Sequence, residues 1–456
     1  MIRDERGTVR SDPFQNQSRI LVHPLAYVRH DRNWSQQDLV DKIARRLNTA
    51  ARREKAWRWE RWGVVPDLAT QCALADELGV PRQAVRELGW PHWLPVGQRI
   101  DTDTPWTIDG GLTLLRETAG AAVMDRRGFM ILGVGAAATL AQQWLTLDPP
   151  PLRSALDGGP LDASLVDCFE QRLPTLRQID ALLGGGSVRD VVDAELRLVT
   201  DLLSNSSYAD SIGRRMFAVA TELGRIAGWA SFDAGHQAAA ERYWVSALHT
   251  AHLADDRTAG ANILKCMSLQ RVDSDRAEEA LALATAAVDG AGDAPARVLA
   301  MFATRKARAH AALNDASAAE RCLTSAETHM ARADDEPGPT WAGYFDQAEY
   351  CAQVAACYLM LERHRNADRW LAQALDLHPT TRSRDRATYL IWRAGVTASL
   401  GDVEQACAYV HRAAPEVVKT RSLRNHHRLM GIHSRLTKYD TPATRELDER
   451  VRGLVA

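Results

Sequence analysis

Paired cysteines are missing from this sequence. Its seven cysteines are odd in number and scattered, and no two of them form a CxxC pair. Disulfide frameworks and structural zinc sites both depend on cysteines at close, paired spacings. We therefore expect neither disulfides nor a metal site, and a cytoplasmic location, because the cytoplasm keeps thiols reduced.

Catalytic signatures are missing as well. The sequence contains no HExxH, no P-loop, no GxSxG and no protein-kinase set, each of which holds reactive groups at a fixed spacing. His426 and His427 have no partner at metal-ligand spacing. We therefore expect no catalytic residue, no cofactor and no enzymatic activity.

A run long enough to span a membrane is also lacking. The apolar run near Arg126 and Arg127 has 13 residues, which is too short to cross a bilayer. Residues 124–141 resemble a twin-arginine export signal, but such a signal works at the N-terminus and 123 residues precede this one. We predict instead an apolar helix at 124–145, within a connecting segment over 101–160, that packs on the next domain and makes no membrane contact.

Charge is distributed unevenly along the chain. The 456 residues carry a net charge of −2, and this length suggests two or three domains. Between Lys42 and Arg61, however, eight Lys and Arg residues stand against two Glu residues. This excess is typical of a surface that binds phosphates. A solvated basic helix face without a ligand is the other interpretation.

Residues 24–90 have the pattern of several short helices. Ser35 is placed to cap a helix in which Leu39, Ile43 and Leu47 recur at helical spacing. A second helix is predicted over 52–62, where Trp59 should be buried, and a third over 67–78. Short helices with tight turns and a basic middle helix are typical of a helix-turn-helix module.

Three segments of this region resemble the Cro/repressor-type (XRE-like) DNA-binding domain. They are Trp34-Ser35-Gln36-Gln37-Asp38-Leu39, Trp59-Glu60-Arg61-Trp62-Gly63 and Leu74-Ala75-Asp76-Glu77-Leu78-Gly79-Val80-Pro81. The resemblance implies a domain over 20–100 that binds double-stranded DNA. It also implies that Gln36 caps the first helix of the motif and contacts the DNA backbone, and that Glu60 is structural. The residues it implies for contacts with bases and phosphates are Arg52, Arg53, Glu54, Lys55 and Arg58.

One departure from that family is an insertion. Gln36 and Glu60 are 24 positions apart, about six more than in an ordinary helix-turn-helix of this type. The extra residues either lengthen the recognition helix at its N-terminal end or form a wing-like loop that changes docking. The string over 51–60, with the Trp- and Pro-rich string over 89–95, also resembles a variant found in actinobacterial regulators. That resemblance implies control of development or secondary metabolism.

The rest of the chain contains a repeat. Two alanines seven residues apart recur at Ala240/Ala247, Ala280/Ala287, Ala319/Ala326, Ala367/Ala374 and Ala406/Ala413. Twelve residues before each first alanine stands another small residue, at Gly228, Ser268, Ala307, Ala355 and Ala394. Small residues in these registers let antiparallel helices pack closely, unit upon unit. The pattern resembles the tetratricopeptide repeat (TPR).

The sequence thus predicts an all-α protein with an N-terminal helix-turn-helix domain followed by an α-solenoid of TPR-like helical pairs. The solenoid domain is placed at 161–456, with five repeats around 213–415 and capping helices at both ends. In such repeats the first helix of each pair lines the concave face. The residues expected on that face are Arg225, Trp229, Asn262, Lys265, Arg305, Arg308, Glu349, Gln353 and Trp392.

The middle of that face is expected to be a cationic stripe made of Asn262, Lys265, Arg305 and Arg308. Asn can hydrogen-bond a peptide backbone, and Lys and Arg can hold a carboxylate. The stripe is therefore interpreted either as a binding site or as plain solvated surface.

The leading hypothesis is a DNA-binding transcriptional regulator whose TPR-like groove senses a peptide, a protein or a small-molecule effector. The effector would change the geometry of the N-terminal domain or the spacing of a homodimer. The alternative is a protein-interaction scaffold whose helix-turn-helix domain no longer binds DNA.

Overall fold

The computed structural model describes residues 24–32, 34–62, 64–78, 80, 82, 85–86, 90–91, 93–94, 104–121, 136–149, 161–183, 185–379 and 382–455. The regular elements among them are α-helices and one 3-10 turn, and none is a β-strand. The described chain is therefore all-α, which confirms the predicted fold class at that level. It divides into two compact units, 24–94 and 104–455.

The first unit consists of short helices. Their bounds are α1 (Pro24–Asp31), α2 (Gln36–Leu47), α3 (Arg53–Trp62) and α4 (Leu68–Leu78). Helix α2 packs on both α3 and α4, and α1 packs on α3. Their shared core contains Leu39, Ile43, Ala56, Trp59 and Leu74, each of them buried, so the expected burial of Trp59 is confirmed.

The start of α2 is fixed by a reciprocal cap. The Ser35 hydroxyl accepts a hydrogen bond from the Asp38 backbone N–H at 3.1 Å, and the Asp38 carboxylate accepts one from the Ser35 N–H at 2.7 Å. Two orphan amides at the helix end are thereby satisfied. The cap predicted at Ser35 is confirmed, and α2 ends at Asn48, which adopts a left-handed φ of 51°.

The second unit is a longer series of helices. Its first part contains α5 (Ile108–Ala121), α6 (Ala136–Thr146), α7 (Ala163–Leu183) and α8 (Gly185–Asn205). Helix pairs follow, namely α9 (Asp210–Asp233) with α10 (Gln237–Leu253), α11 (Arg257–Val272) with α12 (Ala277–Gly290), α13 (Ala296–Ala312) with α14 (Ala316–Met330), α15 (Gln347–Met360) with α16 (His364–Leu377), and α17 (Ser383–Ser399) with α18 (Val403–Thr420). A 3-10 turn (Thr340–Ala342) precedes α15, and α19 (Leu423–Leu436) and α20 (Pro442–Val455) complete the unit.

The small residues of the sequence repeat lie between these helices. All ten paired alanines are buried, and so are the five small residues that stand twelve positions earlier. Each alanine pair belongs to the second helix of a pair and each earlier small residue to the first. The repeat is therefore a packing register, and consecutive helix pairs stack in the solenoid-like manner that it predicts.

Helices from each end of this unit contact helix pairs at the other end of the row. Helix α19 packs on α9 as well as on α17 and α18, and α7 packs on α17 and α18. Arg384 on α17 donates to Asp180 on α7 through both terminal nitrogens at 3.0 Å, and Ser422 donates to Asp233 at 2.8 Å. The row of pairs is thus closed by contacts between residues far apart in sequence.

Part of the connecting segment is docked on the solenoid. Helix α6 packs on α12 and α10, and the ring of Trp144 fills the space where Gly260 and Gly290 lack a side chain. The expected apolar helix at 124–145 is seen from Ala136 onward, whereas 124–135 and the twin arginines lie outside the described residues. None of the described helices combines the length and the apolar character that crossing a membrane requires.

Candidate functional sites

Helix α3 has one buried face and one basic exposed face. Ala56 and Trp59 are buried at helical spacing, whereas Arg53, Lys55 and Arg58 are exposed. Exposed Glu54 also lies on this helix and Arg52 precedes it, since the helix begins at Arg53. Within the described residues, neither Arg53 nor Arg58 forms an ion pair. The helix therefore offers uncompensated positive charge to solvent, as a phosphate-binding face requires.

The C-terminal part of α3 is held by a polar network. The Glu60 carboxylate accepts hydrogen bonds from Arg29 Nε at 2.6 Å and Arg29 Nη2 at 3.2 Å, and from Gln36 Nε2 at 2.9 Å. Arg29 also donates to the Trp34 carbonyl at 2.9 Å. Glu60 thus joins α3 to α1 and to the start of α2. Sequence reasoning assigned Glu60 a structural role but missed Arg29, which no short motif marks.

Other basic residues of the charged cluster are already paired. Arg46 Nε lies 2.6 Å from Glu77 Oε1, and Lys42 Nζ lies 3.7 Å from Glu77 Oε2. Both bases lie on α2 and Glu77 on α4, so they join these helices. Between Gln36 and Glu60, α2 continues to Leu47, residues 48–52 connect the two helices, and α3 begins at Arg53. Both predicted forms of the insertion, a longer recognition helix and a wing-like loop, stay predictions.

The inner face of the helix pairs differs from the predicted open stripe. Asn262, Lys265, Arg305 and Arg308 are all buried, so they are not solvated surface. Lys265 donates to the Tyr344 hydroxyl at 2.9 Å. An acid is also present, because Asp273 Oδ1 lies 3.7 Å from Arg308 Nη2. The interpretation of the stripe as plain solvated surface is therefore wrong.

The remaining inner-face residues are largely engaged. Arg225 donates to Glu222 at 2.7 and 2.8 Å, and Gln353 donates to Glu349 at 2.7 Å. Half-buried Glu349 also accepts a hydrogen bond from Tyr389, and desolvation, together with Asp385, raises its pKa. Trp229 lies under a guanidinium group from each of two later helices. Arg225, Trp229 and Gln353 are thus brought to one interior, mostly in pairs already formed.

A guanidinium cluster forms the centre of this interior. We use that name for Arg305 and Arg308 on α13 with Arg424 and Arg428 on α19, grouped around Asp273. Arg424 Nη1 and Arg428 Nη2 lie 3.7 and 3.0 Å from Asp273 Oδ2. Burial opposes ionisation of Asp273, but the nearby arginines outweigh it and lower the pKa of its carboxyl. Asp273 is therefore a carboxylate shared by three guanidinium groups.

The arginines of this cluster are poorly compensated. Burial lowers the pKa of Arg308 to about 10, although Asp273 opposes that shift. Burial, reinforced by Arg428, lowers the pKa of Arg424 to about 10, and burial also lowers the pKa of Arg305. These three arginines remain charged at neutral pH. Removing their charges from water therefore lowers the stability of the folded protein.

Sequence reasoning missed half of this cluster. Arg424 and Arg428 were assigned to a closing segment because they lie after the last alanine pair. Their spacing of four residues on one helix places them on the same face. That spacing, with no acidic residue between them, was the available signal.

A cavity of about 250 Å³ lies elsewhere in the second unit, bordered by α7 and α9. Its charged lining is mostly paired: Arg177 donates to Glu222 at 2.8 Å and to Thr340 at 2.9 Å, and Arg215 donates to Glu170 at 2.9 and 2.7 Å. It therefore offers a ligand little unsatisfied charge. Within the described ranges, His, Cys, Asp and Glu residues form no group suited to a metal ion.

A scan against protein-family models and a search of curated protein sequences both return no match for this chain.

Proposed function

We propose that this protein is a DNA-binding transcriptional regulator whose helical-repeat unit senses an effector. The exposed side of α3 carries the proposal. Arg53 and Arg58 have no acidic partner among the described residues, while Ala56 and Trp59 anchor the opposite side of the helix in the core. One side of this short helix is packed in the core and the opposite side is basic and exposed. Such a helix can enter the major groove of DNA, which is lined by phosphates.

The polar network at Glu60 supports the same proposal. Base readout requires a helix whose position is fixed relative to its neighbours, because side chains must reach base edges within hydrogen-bonding distance. Glu60 ties α3 to Arg29 and Gln36 at 2.6 to 3.2 Å. In this proposal Arg52, Arg53, Lys55 and Arg58 contact bases and phosphates. The resemblance to actinobacterial regulators suggests genes of development or secondary metabolism as targets.

The test is a salt-titrated measurement of DNA affinity with the full chain. Genomic and random duplexes are compared by fluorescence anisotropy, with wild type and the Arg53→Ala/Arg58→Ala variant. Each lost base contact should cost about 1–3 kcal/mol, and each lost phosphate contact should reduce the salt slope by about one.

The matched control is Arg82→Ala. Arg82 is an exposed arginine of the same unit, but it is paired with Asp76 at 2.6 Å, so its removal should leave DNA affinity nearly unchanged. Wild-type protein that shows no salt-dependent affinity for any duplex would favour the protein-interaction scaffold. A double variant that keeps wild-type affinity and salt slope would move the interface away from α3.

A further inference from the structure

Several buried donors in the guanidinium cluster lack a partner. Among the described residues, no hydrogen-bond acceptor is available for Nε and Nη1 of Arg305, Nε of Arg308, Nε of Arg424 or Nη1 of Arg428. Arg305 and Arg308 are 7% and 6% exposed, and the donor atoms of Arg424 and Arg428 named here are themselves buried although these side chains are 16% and 21% exposed. Buried charged donors without acceptors are costly and rare in folded proteins.

The carboxylates nearby are too few to satisfy these donors. Asp273 is shared among Arg308, Arg424 and Arg428 at 3.0 to 3.7 Å. Asp233, a second acid, is shared by Arg424 at 3.7 Å and Arg384 at 3.9 Å, and Glu349, which also acts on Arg305, is already hydrogen-bonded by Gln353 and Tyr389. Arg305 forms no ion pair with a described residue. Positive charge therefore exceeds negative charge at the centre of the cluster.

Aromatic rings lie close to three of these guanidinium groups. Cζ of Arg308 and Cζ of Arg428 lie 5.4 and 5.6 Å from the centroid of the Trp392 ring. Cζ of Arg424 lies 5.1 Å from the centroid of Trp229 and 4.8 Å from that of Phe232. Such cation–π contacts stabilise the positive charges but supply no oxygen acceptor for the N–H donors.

We propose that the guanidinium cluster is the binding site of a small oxyanion, held by Arg305, Arg308, Arg424 and Arg428. Phosphoryl and carboxylate oxygens are the acceptors that guanidinium donors bind most strongly. The ligand is compact rather than an extended chain, because the donor atoms without acceptors are buried. This inference rests on the proposed function in one respect only, namely that the anion is the effector.

The site also explains how a ligand could change the protein. Arg305 and Arg308 belong to the middle of the helix row, whereas Arg424 and Arg428 belong to its closing helix. Without an anion, mutual repulsion opposes their approach, and a bound anion converts that repulsion into attraction on both sides. Binding should therefore tighten the contact of α19 with the helix pairs.

The experiment measures thermal unfolding and calorimetric binding of the full chain with sodium phosphate or sodium citrate as probes. Ionic strength is held constant with sodium chloride, so that general screening is the same in every sample. We expect a saturable rise in Tm for at least one oxyanion beyond the chloride control. Saturation by phosphate alone identifies a phosphoryl ligand, and saturation by citrate alone identifies a carboxylate.

The variants are Arg305→Met and Arg428→Met, with Arg363→Met as control because Arg363 is exposed and paired with Glu320. Each cluster variant should weaken anion binding by at least about tenfold. Arg305→Met should not lower the Tm of the anion-free protein, because Arg305 is a buried charge without an ion-pair partner among the described residues. Arg428→Met also removes a 3.0 Å partner of Asp273, so the Tm comparison is made on Arg305→Met. If these arginines only stabilised the fold, their replacement would lower the Tm and leave anion binding unchanged.

Two results overturn the inference: no oxyanion raises Tm beyond chloride, or both cluster variants bind the anion as tightly as wild type. DNA affinity measured on the same samples keeps the two proposals separate. Anion binding without any DNA binding would contradict the proposed DNA-binding function but not the anion site. DNA binding without anion binding would contradict the anion site but not the DNA-binding function.

Discussion

Arg29 on α1 and Glu60 on α3 form a bidentate ion pair at 2.6 and 3.2 Å. Side-chain exposure is 19% for Arg29 and 8% for Glu60, so the carboxylate depends on its protein partners for hydrogen bonds. The third partner is Gln36 at 2.9 Å. The orientation of the proposed DNA-reading helix is therefore set by a residue that precedes the helix-turn-helix pattern in sequence.

Removing Arg29 should loosen α3. Arg29→Ala leaves Glu60 with one side-chain donor, and a buried charged group that loses its partner costs about 1–3 kcal/mol. Hydrogen exchange measured by mass spectrometry should show faster exchange of α1 and α3 amides, by about tenfold or more. Arg82→Ala removes an arginine that is 64% exposed and should leave these amides unchanged. Equal protection in both variants would show that the pair does not hold the helix.

Acid should destabilise the second unit through His249. Its ring stacks on Trp106 with centroids 3.9 Å apart, and burial, together with His252, lowers the pKa of His249 to about 3. The unfolded chain binds this proton near pH 6.5. Between those pH values the unfolded state holds more protons, so stability should fall as pH drops, by up to about 1.4 kcal/mol per pH unit.

The variant that checks this is His249→Phe, which keeps an aromatic ring against Trp106 and removes the proton site. Urea unfolding of wild type and variant is compared from pH 8 to pH 4. The two should agree in slope above pH 7 and diverge below pH 6, with the variant less sensitive to acid. Parallel curves over the whole range would contradict the assignment.

Local features of this fold could be predicted from sequence because they depend on neighbours in the chain. The cap at Ser35 and the burial of Trp59 follow from short-range spacing and amphipathicity, and both are confirmed. The buried positions predicted from the alanine repeat are also confirmed, because each helix pair packs in the same way as the next. A periodic pattern identifies the buried side of a helix but not the element that covers it.

The closure of the helix row was not predictable in this way. Arg384 pairs with Asp180 across 204 positions of sequence, and Arg428 pairs with Asp273 across 155. Neither contact has a repeat or motif that marks it. Five of the nine residues expected on the concave face are therefore buried, namely Asn262, Lys265, Arg305, Arg308 and Gln353, and the other four are half-buried.

Two helical glycines should respond to alanine with opposite signs. A Cβ on Gly228 would lie 2.3 Å from Nε1 of buried Trp244, so Gly228→Ala must displace that ring at a cost of about 1–3 kcal/mol. Gly431, inside α19, has no such neighbour within 4 Å, and Gly431→Ala should stabilise by up to about 1 kcal/mol through helix propensity. Thermal unfolding measures both changes, and near-ultraviolet circular dichroism reports on the indole. A neutral Gly228→Ala would show that the register tolerates more volume than the packing indicates.

Trp144 should account for most of the docking of α6. It is buried against Gly260 and Gly290, whose Cβ positions would lie 2.6 and 2.3 Å from its ring. Trp144→Ala should therefore cost about 3–5 kcal/mol of local stability, seen as faster hydrogen exchange in α6 and in the facing α12. Gln142→Ala, an exposed change on the same helix, should stay within about 0.5 kcal/mol. If α6 keeps its protection without the indole, its other contacts on α10 and α12 hold it, and the two glycines are small for a different reason.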